Sequence, residues 1–427
     1  MARKMKDSGI EWIGEIPEGW EIVPVRSCFD EVRTKNTDGQ EQNALQFKSG
    51  NIISKTNFNA NMDDYVADTI TNYTVVLPDT VMINGLNLNY DFKSLRVALV
   101  KEKGVITSAY LAIFPDRKKI SPQYATYLFK GYETRMAFHN MGAGIRKTLG
   151  YKEFKNQPLL LPSKEEQNKI SAYLDSKCSH IDIMLSKIRS SIEEYKKLKQ
   201  AVITQAVTKG VRGEREMKDS GVEWIGEIPK EWVCEKIKYA TSISRGLFNH
   251  RPRNDERYYN GKYPFIQTGD VANATKYIVS YSQTLNELGK SVSKEFPKGT
   301  LTMTIAANVG DVAILNFDAY FPDSVVGFVP NKNIRTLYLF YVFSAMKDEF
   351  IRTAIKSTQL NLNIDRVKET FIPVTLNVNE QCEIENYLES KCAEIDGLIA
   401  KKEQLVKELE SYKKSLIYEV VTGKREV

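Results

Sequence analysis

The chain has 427 residues, of which 42% are hydrophobic and 27% charged, with a formal net charge of +6. This balance is typical of folded domains, and the length is sufficient for two or three of them. No apolar run reaches the roughly 18 residues that span a bilayer, the N-terminus lacks a signal-peptide core, and five cysteines without scaffold spacing fit a reducing compartment. We therefore expect a cytoplasmic protein without membrane contact. The charge permits nucleic-acid binding without requiring it.

The first element is a box that occurs twice. Residues 5–20 read MKDSGIEWIGEIPEGW and residues 217–232 read MKDSGVEWIGEIPKEW, with 13 of 16 positions identical at an offset of 212. A second repeat aligns residues 166–208 with 380–422 without a gap, at an offset of 214. A period of about 210 residues indicates duplication of a whole domain, because stacked repeats have periods of 20–50 residues.

After each box comes a region with short β-rich runs and turns. Residues 21–160 and 233–374 share almost no identity, but their patterns correspond. In the list that follows, each pair gives the first copy and then the second. The pairs are a turn leading into a strand (78–84 and 297–303), an apolar run (108–114 and 324–329), an aromatic helix (124–129 and 337–343) and a closing strand (159–162 and 371–374). Each copy is therefore predicted to be a mixed α/β domain.

A long helix is predicted after each domain. The first begins at a capping signal, Ser163 followed by Glu166, and for the second we place Asn379 at the corresponding position. Apolar residues then repeat every 3.5 positions, which favours a coiled coil over a surface helix. Two duplicated units related by a pseudo-twofold would pair these helices antiparallel. The predicted seam and partner-contact residues are Leu174, Ile181, Leu185, Ile188, Ile192, Leu388, Ile395, Ile399, Val406 and Leu409.

Lysines and cysteines interrupt this seam at equivalent places in the two copies. Lys199 and Lys413 would either fix the register at a cost in stability or extend their ammonium groups to solvent. Cys178 and Cys392 are read as small hydrophobic residues. The predicted fold class is thus α+β, with two mixed α/β domains separated by two long helices and an internal pseudo-twofold duplication. The predicted boundaries are 1–162, 163–210, 211–376 and 377–427.

No catalytic or metal-binding motif is found. The stretch at residues 142–148 lacks the spacing of a phosphate-binding loop and of a dinucleotide fingerprint. Pro115-Asp116 and Pro322-Asp323 are interpreted as turns, and the three histidines lie far apart in sequence. We expect no catalytic residue, no metal and no cofactor in this chain.

Two loops suit contact with DNA. The first contains Gly144, Arg146, Lys147 and Thr148, where arginine can bind guanine and the other polar groups suit phosphates. The second occupies the corresponding position in the second copy, where Asn and Gln side chains can read adenine. Its candidates are Lys356, Thr358, Gln359, Asn361 and Asn363. Each of these residues is equally consistent with an ordinary loop. For residues 84–87 and 268–270, an ordinary loop is preferred over a DNA contact.

The four tryptophans lie at Gly-Glu-Ile-Pro turns on the domain boundaries, outside the basic loops. Trp12, Trp20, Trp224 and Trp232 are therefore expected to pack each copy against the ends of the helices, rather than to stack on DNA.

The repeated boxes, the Glu-Gln pair at each helix start, the YLDSKCSHID and YLESKCAEID segments and the VVTGK ending resemble the specificity subunits of type I restriction–modification systems. The resemblance covers nearly the whole chain, with one departure: Thr208-Lys209-Gly210 stands where the second copy has Thr422-Gly423-Lys424. It implies that residues 21–160 and 233–374 are target-recognition domains, each binding half of a bipartite, asymmetric site in double-stranded DNA. It also implies that the helices, at 163–209 and 377–423, set the spacer between the half-sites and dock two adenine-N6 methyltransferase subunits.

By the same resemblance, restriction subunits join through that complex, and S-adenosylmethionine, ATP and Mg²⁺ are expected on the partner subunits. Two alternatives remain open at this point. One is an architectural or regulatory DNA-binding protein that works without a methyltransferase, and the other is a self-contained nuclease or methyltransferase.

Overall fold

The structure is a computed structural model that describes residues 3–55, 70–144, 147–353, 355–356 and 360–427. The chain forms two compact units. Unit 1 comprises Met1–Arg189 and Glu403–Val427, and unit 2 comprises Ser190–Lys402. Each unit therefore contains one box, one domain, the first part of one long helix and the last part of the other. The domain boundaries expected from sequence remain predictions.

In unit 1 the strands are short, and a helix-rich segment precedes the last of them. The strands are β1 (Met5–Asp7), β2 (Glu15–Pro17), β3 (Glu21–Pro24), β4 (Phe29–Glu31), β5 (Leu45–Lys48), β6 (Asn51–Ser54), β7 (Thr74–Val76), β8 (Val81–Ile83), β9 (Val97–Leu99), β10 (Gly104–Ile106), β11 (Leu111–Pro115) and β12 (Pro158–Leu161). The helices are α1 (Pro122–Thr134), α2 (Ala137–Met141), α3 (Tyr151–Phe154) and the long α4 (Lys164–Lys209), which continues into unit 2.

Unit 2 repeats this order with additions. Its strands are β13 (Met217–Asp219), β14 (Glu227–Pro229), β15 (Val233–Lys236), β16 (Thr241–Arg245), β17 (Tyr259–Phe265), β18 (Tyr277–Ile278), β19 (Gln283–Leu285), β20 (Glu295–Phe296), β21 (Leu301–Thr304), β22 (Val312–Leu315), β23 (Ala319–Tyr320), β24 (Val325–Pro330), β25 (Ile355–Lys356), β26 (Leu360–Asn361) and β27 (Phe371–Val374). The helices are α5 (Ile237–Ala240), α6 (Thr268–Asn273), α7 (Glu287–Ser291), α8 (Thr336–Ala345), α9 (Lys347–Thr353), α10 (Ile364–Glu369) and the long α11 (Val378–Val421).

The central sheets of the two units have the same strand order. In unit 1 the order is β4-β11-β8-β9 and every pair is antiparallel. In unit 2 it is β16-β24-β21-β22, extended by β18, which runs parallel to β22. The boxes form the hairpins β1-β2 and β13-β14, and the closing strands pair as β3-β12 and β15-β27. The strands predicted to correspond do correspond, and the α+β class and the duplication are confirmed.

A tryptophan–glutamate contact ties each box to the start of a long helix. In unit 1 the buried Trp20 donates its indole N–H to Glu166 Oε2 at 3.0 Å, and Arg3 lies 2.5 Å from Oε1 of the same carboxylate. In unit 2 the buried Trp232 donates to Glu380 Oε2 at 3.1 Å, and Arg215 lies 2.5 Å from its Oε1. These two tryptophans therefore pack against helix starts, as predicted.

The glutamine that follows each glutamate joins three segments. Gln167 donates its amide to the carbonyls of Lys119 and Pro162, both at 3.0 Å, and accepts from the backbone N–H of Ser121 at 2.7 Å. Gln381 makes the equivalent three bonds, each at 2.8 Å, to Asn333, Thr375 and Arg335. A carboxamide is suited to this position because it donates and accepts at once. The repeated Glu-Gln pair is thus a structural junction.

The two long helices begin at different caps. Ser163 Oγ accepts from Glu166 N at 3.3 Å, so the first predicted cap is confirmed. The second prediction was wrong, because Asn379 lies inside α11. The capping side chain is that of Asn377, whose Oδ1 accepts from the N–H groups of Asn379 and Glu380 at 3.1 and 3.3 Å. The offset of 214 places Asn377, not Asn379, opposite Ser163, and Asn377 likewise has a glutamate three residues later.

Both long helices end at a left-handed glycine. When the two copies are aligned with the offset of 214, these glycines lie one position apart. Gly210 follows α4 directly with a φ of +73°, and Gly423 lies two residues after α11 with a φ of +71°. At Gly423 a Cβ would lie 2.3 Å from Pro17, so the glycine also permits close approach of the first box. The Thr-Lys-Gly order after α4 therefore moves the terminating glycine by one aligned position, while both helices still end at a glycine with positive φ.

Within each unit the two helix segments run antiparallel. In unit 1, Asp182 pairs with Lys413 and Arg189 with Glu410. In unit 2, Lys199 pairs with Asp396, and Lys402 lies 5.4 Å from the ring centre of Tyr195. The seam residues that are buried are Leu174, Ile181, Leu185, Ile192, Leu388 and Ile395, and those that are half-buried are Ile188, Ile399, Val406 and Leu409. Their predicted role in partner contact stays a prediction.

The seam lysines are paired at their tips. Lys199 Nζ lies 2.8 and 2.7 Å from the two carboxylate oxygens of Asp396, and Lys413 Nζ lies 2.6 and 2.7 Å from those of Asp182.

All five cysteines have free thiols, and burial raises the pKa of the Cys178 and Cys392 thiols. In the part of the chain that the structure describes, no helix is long and apolar enough to cross a membrane.

Candidate nucleic-acid interface

Several loops of each domain gather at one end of its central sheet. We call this the loop end. In unit 1 it comprises residues 84–96, 107–110, 142–144 and 147–149, and in unit 2 residues 246–255, 305–311, 321–324, 355–356 and 360–363. The antiparallel pairing explains the grouping, because Ile83 at the end of β8 pairs with both Leu111 and Val97 at the starts of β11 and β9. Likewise, Thr304 at the end of β21 pairs with Val325 at the start of β24.

The first predicted DNA-contact loop lies at the loop end of unit 1. Gly144 adopts a φ of +82°, and Lys147 and Thr148 are exposed, whereas Arg146 lies outside the described residues. Ala143 and Thr148 form a small antiparallel bridge, with backbone bonds of 3.1 and 2.9 Å. The structure thus presents Lys147 and Thr148 to solvent on a closed turn. Their contact with DNA stays a prediction.

This turn is fastened to the loop that follows β8. The N–H of Leu149 donates to the carbonyl of Gly85 at 2.9 Å, and that of Leu88 donates to the carbonyl of Lys147 at 3.1 Å. A Cβ on Gly85 would lie 2.5 Å from the Leu149 oxygen, so only glycine permits this approach. Residues 84–87 therefore support the candidate loop through their backbone, a structural role that agrees with the preference for an ordinary loop.

The second predicted loop occupies the equivalent place in unit 2. β25 and β26 form a hairpin, and the N–H of Leu362 donates to the carbonyl of Ile305, just after β21, at 2.9 Å. This bond matches the one from Leu149 to Gly85, because both carbonyls follow the same central strand. Thr358 and Gln359 lie outside the described residues. For Lys356 and Asn361 only the backbone is described.

Asn363 is the remaining candidate in unit 2. It is exposed, and its Oδ1 accepts from Asp365 N at 2.7 Å, which caps α10. Bidentate reading of adenine uses both the oxygen and the nitrogen of an amide. Asn363 therefore serves the hairpin's exit into α10, and a role in reading bases stays a prediction.

Sequence reasoning missed Arg96, which organises the loop at residues 84–96. This buried side chain donates from Nη1 to the carbonyls of Asn84 and Leu86, both at 2.9 Å, and from Nη2 to the carbonyl of Asp91 at 2.5 Å. A buried guanidinium with several donors in a fixed fork can hold several carbonyls at once. Its partners come from the tertiary fold, so nothing in the local sequence indicated this role.

Exposed aromatic residues lie on the same loop. Tyr90 is 72% exposed. Phe92 stacks on His139 with ring centres 5.1 Å apart, and His139 Nε2 lies 3.1 Å from the Asp91 carbonyl. An aromatic ring on a rigid loop can stack on a base or lie against a sugar. The run Asn-Tyr-Asp-Phe at 89–92, between two strands of the sheet, was the available signal.

Two carboxyl groups of unit 1 have shifted pKa values. Hydrogen bonds from Ser94, together with the Arg96 guanidinium, hold the pKa of Asp91 at about 2. Burial raises the pKa of Glu133 to about 7, although this carboxylate accepts the backbone N–H of Arg96. Asp91 is therefore ionised at neutral pH and stays paired with Arg96, whereas Glu133 titrates close to neutrality.

At the loop end of unit 2, arginines replace the aromatic residues. Arg245, Arg251 and Arg253 all contact Asp323, the residue read from sequence as part of a turn. The turn is confirmed, because Val325 N donates to the Pro322 carbonyl at 3.0 Å. The other interpreted turn, at Pro115-Asp116, is also present, with Lys119 N donating to the Asp116 carbonyl at 2.9 Å. The arginines escaped the sequence reasoning because they lie about 70 to 80 residues from Asp323 along the chain.

Comparison with known proteins finds one matching family model and several similar proteins. Residues 243–408 match the family described as Type I restriction modification DNA specificity domain. The chain is 24% identical over 426 residues to the type I restriction enzyme MjaX specificity subunit of Methanocaldococcus jannaschii, covering 96% of this chain and 95% of that protein. It is 23% identical over 429 residues to the MjaVIII specificity subunit of the same organism, covering 96% and 93%.

Among solved structures, a chain from work on the complex assembly and conformational transition of the type I R-M system matches with a TM-score of 0.71 and 15% identity. The match covers 96% of this chain and 99% of that one, and it supports the fold. The resemblance predicted from the boxes and helices is thus confirmed over most of the sequence. The chain therefore resembles type I restriction–modification specificity subunits over most of its length, and residues 243–408 match the DNA specificity domain of that family.

Proposed function

We propose that this chain gives a type I restriction–modification complex its DNA specificity, with each loop end reading one half of a bipartite site in double-stranded DNA. The observation that carries the proposal is a repeated frame combined with different loop ends. By the frame we mean the Trp–Glu and Gln contacts at the starts of the two long helices. The Trp–Glu and Gln contacts recur bond for bond in the two units, while the side chains at the loop ends differ.

This combination favours an asymmetric site. Two readers with the same side chains would bind the same half-site twice, because direct readout depends on which donors and acceptors face the groove. Here unit 1 offers Tyr90 and Lys147, and unit 2 offers arginines around Asp323. We therefore expect two half-sites of different sequence.

The long helices are proposed to set the spacer and to dock two methyltransferase subunits, and through them the restriction subunits. Their lengths, 46 and 44 residues, correspond to about 69 and 66 Å at 1.5 Å per residue. Each unit also leaves apolar side chains exposed on its helix segments, such as Ile183 and Met184 in unit 1 and Leu198 and Leu398 in unit 2. Exposed apolar side chains of this kind are common at protein interfaces.

The chemistry is assigned to the partners. In this proposal the chain is not catalytic, and S-adenosylmethionine, ATP and Mg²⁺ are bound by the methyltransferase and restriction subunits. Methyl transfer by the purified chain with S-adenosylmethionine, or cleavage with Mg²⁺ and ATP, would contradict this assignment.

Co-expression tests the proposal. The chain, produced together with a type I methyltransferase subunit, should form a stable complex that methylates adenines in a two-part motif. Removal of two helical turns, seven residues, from both α4 and α11 should change the permitted spacer and leave the half-site sequences unchanged. Failure to form any complex would favour an architectural DNA-binding protein, and an unchanged spacer would refute the role of the helices.

A further inference from the structure

Three arginines converge on one residue, Asp323, at the loop end of unit 2. Arg245 donates from Nε to the backbone carbonyl of Asp323 at 2.5 Å. Arg253 Nη2 binds Asp323 Oδ1, and Arg251 Nη2 lies 3.6 Å from Oδ2. Three positive charges against one negative charge leave this group, which we call the Asp323 cluster, with a formal charge of about +2.

A close backbone approach builds the cluster. The N–H of Gly246, just after β16, donates to the carbonyl of Val325 at 2.9 Å, and a Cβ at this glycine would lie 2.2 Å from the Pro322 carbonyl oxygen. A larger residue would push the two segments apart. The glycine therefore lets the segment that carries Arg251 and Arg253 lie against the turn at Asp323.

Arg251 and Arg253 are held in place and remain accessible to solvent. Arg251 Nη1 donates to the carbonyls of Phe248 and His250 at 2.7 and 2.9 Å, and the hydroxyl of Tyr259 donates to the Arg253 carbonyl. Their side chains remain 56% and 44% exposed. A guanidinium that is oriented on one edge by a carboxylate or carbonyls keeps N–H donors on its other edge for a second anion.

The Asp323 cluster adjoins the predicted reading hairpin. Ile305 N donates to the carbonyl of Ser324, next to Asp323, at 3.0 Å, and the same residue's carbonyl accepts from Leu362 N at the base of the hairpin. Two backbone hydrogen bonds thus connect the cluster to the loop whose side chains are candidates for base contact. Arginine forks bind phosphate oxygens, and phosphate contacts set the register of a protein on the duplex.

We propose that Arg251 and Arg253 bind a backbone phosphate of the DNA half-site that unit 2 reads, with Asp323 as the positioning residue. The inference rests on the proposed function, and it assigns these arginines to anchoring rather than to base recognition. The contact is independent of base sequence, so it should contribute to the binding of any duplex.

The test uses the full-length chain and a 40-base-pair duplex of mixed sequence, with binding followed by fluorescence anisotropy across a series of KCl concentrations. The double variant Arg251→Gln/Arg253→Gln should bind roughly tenfold more weakly at 0.1 M salt. Its plot of log K against log salt should be shallower by about 1, since one phosphate contact contributes about 0.9 to the slope. The matched control is Arg212→Gln, an exposed arginine of unit 2 that pairs with Glu383 outside the loop end, and it should retain the wild-type slope.

A second variant separates charge from folding. Arg251→Lys/Arg253→Lys keeps both charges but loses the fork, so it should keep the wild-type salt slope and bind a few fold more weakly. A glutamine variant with unchanged Tm and an unchanged slope would overturn the inference, as would a lysine variant that loses binding only together with Tm. A wild-type chain that binds no duplex at any salt concentration would instead overturn the proposed function itself.

Discussion

The Trp–Glu and Gln contacts at the starts of the long helices recur in unit 1 and unit 2, whereas the loop ends of the two units carry different chemistry. Unit 1 holds the loop at residues 84–96 with the buried Arg96 and displays Tyr90. At the corresponding sheet end, unit 2 has the Asp323 cluster and a hairpin. The same helix-start contacts thus accompany two loop ends of different side-chain composition.

The comparison first predicts a difference within the frame itself. Glu380 is 1% exposed and binds Trp232, Arg215 and Thr375, whereas Glu166 is 24% exposed. Removing the buried partner leaves donors without an acceptor, so Glu380→Ala should cost about 3 kcal/mol of unfolding free energy. Glu166→Ala should cost about 1 kcal/mol, because water can replace it.

Urea unfolding of both variants measures this difference. Glu380→Gln is the control, since its amide oxygen still accepts the indole N–H, and it should cost less than the alanine variant. Equal losses of unfolding free energy for the two alanine variants would mean that the greater burial of Glu380 does not affect its contribution to stability.

The next prediction concerns pH and affects unit 1. Burial raises the pKa of Glu133 from 4.5 to about 7, so the folded chain retains a proton that the unfolded chain has lost. The stabilising contribution is therefore complete below about pH 4.5 and is lost as the pH rises through about 7. Glu133→Gln cannot ionise and still accepts the Arg96 N–H, so it should raise stability at pH 8 by about 2 kcal/mol.

Thermal unfolding at pH 4 and pH 8 checks the sign. The variant should gain in Tm over wild type at pH 8 and little at pH 4, where Glu133 is protonated in both the folded and the unfolded chain. Glu369 is the control in unit 2, because hydrogen bonds from Lys236 and Lys238 lower its pKa to about 2. Glu369→Gln should show no gain at pH 8, and a gain equal to that of Glu133→Gln would refute burial as the cause.

A smaller effect is expected at the aromatic tip of unit 1. If Tyr90 stacks against the DNA, Tyr90→Ala should weaken binding to the methylated motif by about fivefold, the lower end of what one stacked ring contributes. Tyr239→Ala is the matched control, because Tyr239 is also largely exposed but lies before β16, away from the loop end. Equal effects of the two substitutions on affinity would remove Tyr90 from the interface.

The smallest effect should be the same in both units. The pairs Lys199–Asp396 and Lys413–Asp182 are exposed to a similar degree, so a double-mutant cycle should give a coupling of about 0.5 kcal/mol for each. Thermal or urea unfolding of the single and double alanine variants provides the values. A coupling above about 2 kcal/mol in one unit only would show that the equivalence of the two seams is superficial.

The repeated parts of the molecule could be predicted from the sequence, because repetition exposes what a single copy hides. The duplication, the central strands, the Ser163 cap and the packing of Trp20 and Trp232 all follow from aligned residues. The partners of Glu166 and Glu380 did not, since Arg3 and Arg215 are joined to them only by the fold. The cap of α11 was misplaced at Asn379, although the offset of 214 places Asn377 opposite Ser163.

The loop ends were less predictable for the same reason. Without a repeat to compare, Arg96 looks like any arginine before a strand, yet it is buried and holds three carbonyls. Asp323 reads as a turn residue, and its role depends on arginines from a distant strand and loop. Only the general position of the loops could be inferred, from the spacing of the flanking strands.

The central claim is that the two loop ends read different half-sites of one DNA target. The most direct measurement maps methylated adenines across the genome of cells that produce the chain with its methyltransferase. A motif of two unlike parts, separated by a fixed number of unspecified base pairs, is the expected result. A continuous motif, or two identical inverted halves, would contradict the account.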